Sequence, residues 1–308
     1  MKIGVVIVTY NRLEKLKTAL DCFDKQTRLP DCLIVVDNAS SDGTCEWLWD
    51  WCEKKAEYSK TIVSNKENLG GSGGFYEGLK ASLESDCDWI WVSDDDAYPD
   101  SCALENAYKF LEEREEQNIS AICGKVVTHG KIAYAHRTRY STKHNKITVE
   151  NCTNEDYSKS YFELNAFSYV GTIINVKKMK QVGLTERNYF IWLDDTEHSI
   201  RLSEVGKIYC VPSILINHDV DEGNEFLSWK DYYGYRNRVD MYSKHFGGNP
   251  YIFFIMKRKM KSLWLMMFAK NREYALLYRE ALNDGMNHNL GKHRIYKPGW
   301  KPKNQIKE

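Results

Sequence analysis

Three consecutive carboxylates, Asp94 to Asp96, come directly after the apolar run Trp89–Val92. The run has the length and composition of a buried strand. Adjacent acids repel one another, and a hard divalent cation relieves that repulsion because Mg²⁺ and Mn²⁺ prefer oxygen ligands and also hold substrate phosphates. The alternative is a solvated acidic turn that caps the next helix, with Pro99 as a stop signal.

A second acidic pair, Asp194 and Asp195, also follows aromatic residues, among them Trp192. Adjacent carboxylates raise each other's pKa, which suits a general base that works near neutral pH. The other interpretation is a helix N-cap, with Glu197 in the first turn. The two roles are compatible, because one aspartate can cap the helix while the other accepts a proton.

Alternating strand and helix patterns in the first half of the chain predict the elements that must position these acids. The alternation is typical of an α/β protein with a parallel, doubly wound sheet, in which ligands bind outside the carboxyl ends of the strands. Polar residues follow three of the apolar runs, at Thr9–Arg12, Asp37–Ser41 and Asp94–Asp96. We therefore expect these groups around one crevice, although Asn11 and Asp37 are also residues that ordinary turns favour.

A glycine-rich segment, Asn68–Gly74, precedes a helix predicted to begin at Phe75. Small residues let the backbone approach a ligand closely. The segment is therefore predicted to be a phosphate-binding loop, although glycine content alone is a weak signal.

The second half is predicted to contribute a strand over Lys207–Ile216, with His218 just past its end. A mobile loop over Gly223–Trp229 and an aromatic-rich helix over Tyr232–Phe246 are predicted to follow. A single histidine after a strand is more often an ordinary surface or core residue than a ligand, so its position in the chain leaves its role open.

The chain of 308 residues has a formal net charge of zero, but the charges are unevenly distributed. Residues 84–117 contain twelve acidic and two basic side chains, whereas residues 251–308 contain thirteen basic and four acidic ones. The helical pattern from Tyr251 to Leu282 suits a helix on an anionic membrane surface, or a helix packed on the main domain with a solvated basic flank. We expect a main domain over residues 1–246 and a basic amphipathic helical extension over residues 247–308.

Cysteine usage and hydropathy suggest a compartment. The nine cysteines have no CxxC or zinc-type spacing, which indicates reduced thiols and the cytosol. The first residues form a strand pattern and not a signal peptide. No apolar stretch approaches the roughly 20 residues that span a bilayer.

Taken in order, the motifs resemble family-2 glycosyltransferases of the GT-A fold over about the first 245 residues. They are VVIVTYNR (Val5–Arg12), VVDNASSDGT (Val35–Thr44), NLGGSGGF (Asn68–Phe75), SDDDA (Ser93–Ala97), WLDDTEHSIR (Trp192–Arg201), His218 and YYGYRNR (Tyr232–Arg238). The glycine motif, together with both acidic clusters, is similar to bacterial galactofuranosyltransferases that use UDP-galactofuranose. Rhamnosyltransferases that use dTDP-rhamnose share most of this pattern.

The resemblance implies a GT-A sheet, mostly parallel and flanked by helices, and a metal-dependent transfer that inverts the anomeric carbon. Mn²⁺ or Mg²⁺ would be held by Asp94, Asp96 and His218, and Asp195 would be the base. The nucleotide-sugar donor, a UDP-sugar, would contact Thr9, Asn11, Arg12, Asp37, Asn68, Gly73, Asp94 and Asp95. The acceptor would contact Trp192, Asp194 and Trp229, although each tryptophan is also a candidate for the core.

The resemblance further implies a glycan or lipid-linked sugar as acceptor, a role in cell-surface polysaccharide synthesis, and a peripheral position on the inner face of the cytoplasmic membrane. A homo-oligomer is compatible with it, and a nucleic-acid partner is not expected. The long N-terminal β-rich domain of the galactan polymerases is missing, which favours addition of a single sugar. A sugar nucleotidyltransferase would carry a G-x-G-T/S-x-R-type loop where VTYNR stands, and a catalytically silent binding module would not need both acidic clusters.

Overall fold

A ten-stranded mixed sheet forms the centre of the protein. The structure is a computed structural model that describes residues 1–220 and 227–303. Residues 221–226 lie outside the described residues, and they include positions 223–226 of the loop predicted over Gly223–Trp229. Along the sheet, eight strands follow the order β10-β13-β6-β12-β4-β1-β2-β3, with β5 paired to β13 and β7 to β6. The strands are β1 Ile3–Thr9, β2 Cys32–Asp37, β3 Ser59–Ser64, β4 Trp89–Asp94, β5 Ala97–Pro99, β6 Ile119–Thr128, β7 Lys131–Ile132, β8 Arg137–Lys143, β9 Lys146–Asn151, β10 Phe162–Leu164, β11 Ala166–Phe167, β12 Thr172–Asn175 and β13 Lys207–His218.

Helices cover both faces of the sheet and form the C-terminal part of the chain. They are α1 Leu13–Asp24, α2 Thr44–Glu53, α3 Gly70–Ser82, α4 Ala103–Glu112, α5 Asn154–Tyr157, α6 Val176–Val182, α7 Asp194–Val205, α8 Trp229–His245, α9 Asn249–Phe268 and α10 Arg272–Met286. The α/β class and the GT-A type of sheet expected from the sequence are confirmed, and short loops between strand and helix bring the predicted polar residues to one edge.

Strands β4, β1, β2 and β3 are parallel and form the half of the sheet that the apolar runs predict. Every residue of β1 is buried, because alternate side chains enter two different cores. Val5 and Ile7 pack in the cluster that includes Phe23 of α1, whereas Val6 and Val8 pack in the cluster that includes Leu79 of α3. The carboxyl ends of β1, β2 and β4 therefore open on the same edge.

The glycine-rich segment is a helix and not a loop, which corrects the prediction from the sequence. Helix α3 begins at Gly70, so that Gly70–Gly74 form its first turns. A Cβ atom on Gly74 would lie 2.5 Å from Val8, and one on Gly78 would lie 2.5 Å from Val6. The glycines thus allow α3 to lie directly on β1, a close approach that any larger residue would prevent.

The other half of the sheet is antiparallel where β12 inserts between β4 and β6. Strands β8 and β9 form a hairpin, which makes a three-stranded sheet with β11. At the far side, β13 runs parallel to β6 and its last residues pair antiparallel with β5. This pairing brings the end of β13 back to the edge where β4 ends.

The helical pattern over Tyr251–Leu282 is divided between two helices, α9 and α10, with a break before Arg272. Helix α10 packs on α8, and its apolar side chains Leu277 and Ala281 join a core cluster with Tyr232 and Tyr233. Helix α9 buries only Ser262 and Leu265. None of the helices in the described residues combines the length and the apolar content that crossing a bilayer requires.

Candidate active site

The triple aspartate and His218 lie together, although more than 120 positions separate them in the chain. Residues Asp95 and Asp96 form the turn between β4 and β5, and His218 is the last residue of β13, paired with Ala97. The Nε2 atom of His218 lies 3.3 Å from Oδ1 of Asp96. One ligand atom each from Asp94, Asp96 and His218 can be chosen so that all three lie within 4.8 Å of one another.

Basic and hydroxyl side chains from the end of β1 hold the remaining carboxylate oxygens. The Thr9 hydroxyl donates to Asp95 over 2.7 Å. A guanidinium nitrogen of Arg12 donates to Asp95 over 3.2 Å and to Asp96 over 2.7 Å. The ammonium group of Lys15 lies 4.0 Å from Asp96. These contacts fix the acidic turn and partly neutralise it.

The three aspartates have different proton affinities because their surroundings differ. Burial, followed by the charge of Asp96, raises the pKa of Asp94 to about 7. Burial also raises the pKa of Asp95 to about 6. Burial acts in the same direction on Asp96, but the hydrogen bond with His218 and the charge of Arg12 outweigh it and lower the pKa of Asp96. Asp94 therefore carries a proton near neutral pH that a bound cation would displace.

These residues fit a divalent cation with oxygen-rich coordination. Two carboxylates and one imidazole at this spacing are ligands that Mn²⁺ accepts, and Mg²⁺ is bound through similar carboxylates. Nδ1 of His218 is buried without a hydrogen-bond partner among the described residues, and its Nε2 faces Asp96. The proximity of three like charges in a buried turn is otherwise unfavourable, which favours a cation over the solvated acidic turn.

An open cavity of about 250 Å³ adjoins this cluster. Its wall contains six of the residues predicted to contact donor or acceptor, Thr9, Arg12, Asn68, Asp94, Asp95 and Trp229. Gly70 and Gly71, at the start of α3, and the turn residues Phe190 and Ile191 form the opposite side. The cavity therefore joins the carboxyl ends of β1 and β4 to the N-termini of α3 and α8.

Three other predicted donor residues do not line this cavity. The Asn11 side chain accepts a hydrogen bond from the Ser41 backbone, and Asp37 accepts one from Ser40. Both side chains thus serve the turns after β1 and β2, as the alternative interpretation of their sequence allowed. Gly73 lines a neighbouring cavity of about 140 Å³ on the other side of Asn68.

The acidic pair Asp194–Asp195 begins α7, directly after a turn with unusual backbone angles. Asp194 is buried, whereas Asp195 remains partly exposed. Burial, followed by the charge of Asp195, raises the pKa of Asp194 to about 8, and burial also raises the pKa of Asp195. The pair therefore retains a proton near neutral pH, and its exposed member is the one that a substrate can reach. No contact within residues 1–220 and 227–303 joins this pair directly to Asp94–Asp96.

The two predicted acceptor tryptophans differ in exposure. The side chain of Trp192 is 45% exposed and lies over Gly234 of α8. Trp229 is half-buried and packs against Phe190 and Tyr233 while lining the cavity. Trp192 is thus free to contact a substrate, whereas Trp229 combines a packing role with a place on the cavity wall.

Several residues of the cavity wall were not predicted from the sequence, and two of them are polar, Lys230 and Asn38. Lys230 lies at the start of α8, where burial and the nearby charge of Arg12 lower its pKa, and no carboxylate in the described part of the chain forms a salt bridge with it. Asn38 links the end of β2 to the start of α3 by donating to Asn68 and to the Gly70 carbonyl group. Lys230 had no motif to mark it, whereas Asn38 stood beside Asp37 in VVDNASSDGT.

A second cluster with metal-like composition, Glu280, Asp284 and His293, has another explanation. Nδ1 of His293 accepts hydrogen bonds from the backbone N–H groups of Ile295 and Tyr296. In the neutral imidazole the proton must then lie on Nε2, which is 3.2 Å from Glu280 and donates to it. The histidine therefore caps the chain after α10, and its remaining nitrogen is not available as a metal ligand.

Comparison with known proteins gives one matching family, described as Glycosyl transferase family 2, over residues 4–170. A galactofuranosyltransferase, GlfT1 of Mycolicibacterium smegmatis, is 29% identical over 205 residues, which cover 65% of this chain and 65% of the relative. The O-antigen chain rhamnosyltransferase RfbN of Salmonella typhimurium is 30% identical over 147 residues, covering 46% of this chain and 44% of RfbN. The chain thus spans less than two thirds of the length of these relatives.

Among solved structures, residues 1–349 of S. aureus TarS in complex with UDP-GlcNAc are similar in fold. The TM-score is 0.60 at 16% identity, and the match covers 92% of this chain and 80% of the TarS chain. The similarity therefore extends past residue 170, into the part of the chain that carries the second acidic pair and His218.

Proposed function

Because the chain belongs to glycosyl transferase family 2, which matches more than half of its length, we propose that it is an inverting, metal-dependent glycosyltransferase. Its donor is UDP-galactofuranose, and its acceptor is a glycan or lipid-linked sugar in cell-surface polysaccharide synthesis. The observation that carries the proposal is the convergence of Asp94, Asp96 and His218 beside a cavity with a cationic wall.

Asp94, Asp96 and His218 would hold Mn²⁺ or Mg²⁺. When bound, the cation supplies Lewis-acid stabilisation of the negative charge that develops on the diphosphate leaving group. The chain adds charges of its own to the same task. Arg12 and Lys230 both line the cavity, and Lys230 has no carboxylate partner in the described residues to compete with a phosphate.

Asp195 is the residue we assign as general base. It is partly exposed at the start of α7, and burial raises its pKa toward the range in which a base works. Its partner Asp194 is buried and shares the proton of the pair. Asp194 therefore stays at the bottom of the site. A single base and a single displacement invert the configuration at the anomeric carbon.

The choice of donor rests on the relatives and on the glycine motif. GlfT1 matches a longer part of the chain than RfbN does, which supports galactofuranose. RfbN, at 30% identity over its shorter match, supports dTDP-rhamnose as the alternative donor.

The experiment that tests the proposal measures UDP release from UDP-galactofuranose by purified protein with Mn²⁺ and glycolipid acceptors. Turnover is expected with that donor and is expected to fall by about a thousandfold in Asp195→Asn, the size expected for losing a general base and its charge. Turnover with dTDP-rhamnose and not with UDP-galactofuranose would make dTDP-rhamnose the donor. Absence of turnover with both donors would contradict the proposal. Full activity of Asp195→Asn would contradict the assignment of the base.

We also assign residues 247–308 to a C-terminal extension that brings the enzyme to the inner face of the cytoplasmic membrane. Large apolar side chains are exposed along α9: Ile252, Phe253, Met256, Met260, Leu263, Trp264, Met267 and Phe268. At 100° per residue they share one face, opposite the two buried residues of α9. Lys257 and Lys261 flank this face on one side and Lys259 on the other, and α9 contains no acidic residue. These features suit an anionic bilayer surface.

A further inference from the structure

The turn that precedes α7 is held in a conformation that its residues disfavour. Phe190, Trp192 and Leu193 have φ angles of 67°, 66° and 70°. Bulky residues rarely adopt positive φ, and each such residue costs about 1–3 kcal/mol and persists only where the surroundings enforce it. Three of them within four positions therefore require a strong external restraint.

Asn237, in the middle of α8, supplies the centre of that restraint. Its side-chain nitrogen donates to the carbonyl groups of Tyr189, Ile191 and Trp192 over 3.0, 3.0 and 2.9 Å. The side chain is completely buried. The two hydrogens of one amide group thus serve three of four consecutive carbonyl groups, two of which share a hydrogen, and none of these bonds belongs to a helix or a strand.

Arg236 extends the restraint on both sides of Asn237. Its Nη2 atom donates to the carbonyl groups of Asn188 and Tyr189 over 3.2 and 2.9 Å. Its Nη1 atom donates to the carbonyl group of Gly291 over 2.6 Å. Its Nε donates to Oδ1 of Asn237 over 2.9 Å, which orients the amide. The guanidinium is buried without a carboxylate partner in the described residues and is satisfied by carbonyl oxygens.

The restrained turn connects the two chemical parts of the site. Phe190 and Ile191 form one side of the cavity, Trp192 is the exposed aromatic residue, and the next residues are Asp194 and Asp195. The opposite side of the turn is also fixed, because the Ser72 backbone N–H donates to the Phe190 carbonyl group over 3.2 Å. Movement of the turn would therefore displace the cavity wall, the exposed tryptophan and the acidic pair together.

We propose that Arg236 and Asn237 are positioning residues that hold this strained turn and thereby fix Asp195 and Trp192 relative to the donor cavity. Neither residue lines the donor cavity, and both act on the site through the backbone of residues 188–192. The proposal rests on the proposed function for the role of Asp195, but the restraint itself does not. The proposal gives Arg236 and Asn237 of the YYGYRNR motif a physical role. Their side chains, distant in sequence from the turn, replace the backbone hydrogen bonds that a turn of this shape cannot form.

The test compares hydrogen exchange and kinetics in Asn237→Ala, Arg236→Lys and the control Asn106→Ala. Asn106 also donates a side-chain hydrogen bond to a distant carbonyl group, that of Ser213, but lies on α4, away from the turn. Amide exchange over residues 189–195 is measured without substrate and is expected to rise by about tenfold in both turn variants and not in the control. Arg236→Lys keeps the positive charge but loses the planar guanidinium that binds several carbonyl groups at once. This variant still tests the proposal if Asn237→Ala does not fold.

In the kinetic part, kcat is expected to fall by about a hundredfold, since a displacement of about 1 Å has an effect of that size. UDP affinity with Mn²⁺ should change by no more than about threefold, because the proposed cation ligands Asp94, Asp96 and His218 share no hydrogen bond with residues 188–192 in the described part of the chain. Unchanged exchange over residues 189–195 would overturn the proposal. Equal losses of UDP affinity and kcat would also overturn it, because they would indicate a general loss of structure. Faster exchange in a protein without transferase activity would leave the restraint intact and contradict only the proposed function.

Discussion

Individual side chains near the site either hold a turn or line the cavity, and the structure shows which of the two each one does. Asn11 and Asp37 look like ligand-binding residues in the sequence but hold turns through their oxygens. Lys230 has no motif, yet it is a partly buried cation on the cavity wall. Both acidic clusters contain aspartates with raised pKa values, because burial disfavours the charged carboxylate and a neighbouring aspartate adds repulsion.

Lys230→Ala is expected to weaken UDP binding by about tenfold, because a partly buried ammonium–phosphate contact contributes roughly 1–2 kcal/mol. Uridine binding should not change, since uridine carries no phosphate. Titration calorimetry with UDP and uridine measures both affinities, and Lys230→Arg should restore most of the loss. Equal weakening of UDP and uridine would argue against contact with the diphosphate.

Asp194→Asn is expected to stabilise the protein at high pH. The pKa of Asp194 is raised by burial and then by Asp195 to about 8, above the ordinary value of 3.8. The folded state therefore binds more protons than the unfolded state between these values, so that stability falls as the pH rises through this window. The neutral amide removes this penalty, which should give a gain of about 1–2 kcal/mol near pH 8.5 that vanishes near pH 4. Thermal melts across this range measure the gain, and a gain independent of pH would exclude the charge as its cause.

Helices in this protein are positioned more by close approach than by helix propensity. Helix α3 contains five glycines, at positions 70, 71, 73, 74 and 78, in thirteen residues, and glycine is unfavourable in a helix by roughly 1 kcal/mol each. The packing of Gly74 and Gly78 on β1 and of Gly70 against the Phe190 carbonyl group accounts for three of these five glycines. The start of α3, the turn at Phe190 and the middle of α8 thus form one connected layer around the cavity.

Gly78→Ala tests the close approach. The new methyl group would lie 2.5 Å from Val6 and 2.9 Å from Val36, so that strand or helix must shift. A loss of about 1–3 kcal/mol is expected from overpacking, despite the better helix propensity of alanine. Gly71→Ala is the matched control in the same helix, because a Cβ atom there meets nothing within 4 Å and should be neutral or stabilising. Denaturant unfolding measures both, and equal effects would contradict the packing argument.

The fold could be predicted from the sequence where burial leaves a pattern. Uninterrupted apolar runs identified β1, β2 and β4, because strands buried on both faces have no polar positions. The helical state of Gly70–Gly74 could not be predicted, since glycine content signals a loop and only the contact with β1 explains the helix. The meeting of Asp96 with His218 follows from strand pairing, which the spacing of the residues does not reveal; only the family resemblance suggested it. Burial of Arg236 and Asn237 left no periodic signal at all.

At the scale of the whole molecule, α9 exposes a continuous apolar face that has no partner in the described residues. Its apolar residues point away from α10 and from the site, and its basic residues flank them. A face of this kind is either covered by lipid or covered by another protein. The absence of acidic residues from α9 favours an anionic surface.

Met260→Glu combined with Trp264→Glu should abolish sedimentation of the protein with vesicles that contain about 30% phosphatidylglycerol. Wild-type protein should sediment with these vesicles and not with purely zwitterionic ones. Trp49→Glu is the control, because Trp49 on α2 is 58% exposed, close to the 55% of Trp264, but lies outside this face. Unchanged vesicle binding in the double variant would contradict the membrane role, as would a wild-type dimer that the double variant converts to a monomer.

The pairing of β13 with β5 has a consequence for dividing the chain. The backbone hydrogen bonds between these strands, with His218 opposite Ala97, join an imidazole from the C-terminal half to carboxylates from the N-terminal half. If the polypeptide were split at the β8–β9 turn, between residues 143 and 146, neither fragment would possess the full set of cation ligands. Cation affinity would then report the reassociation of the two pieces, which makes this protein a natural scaffold for a split reporter.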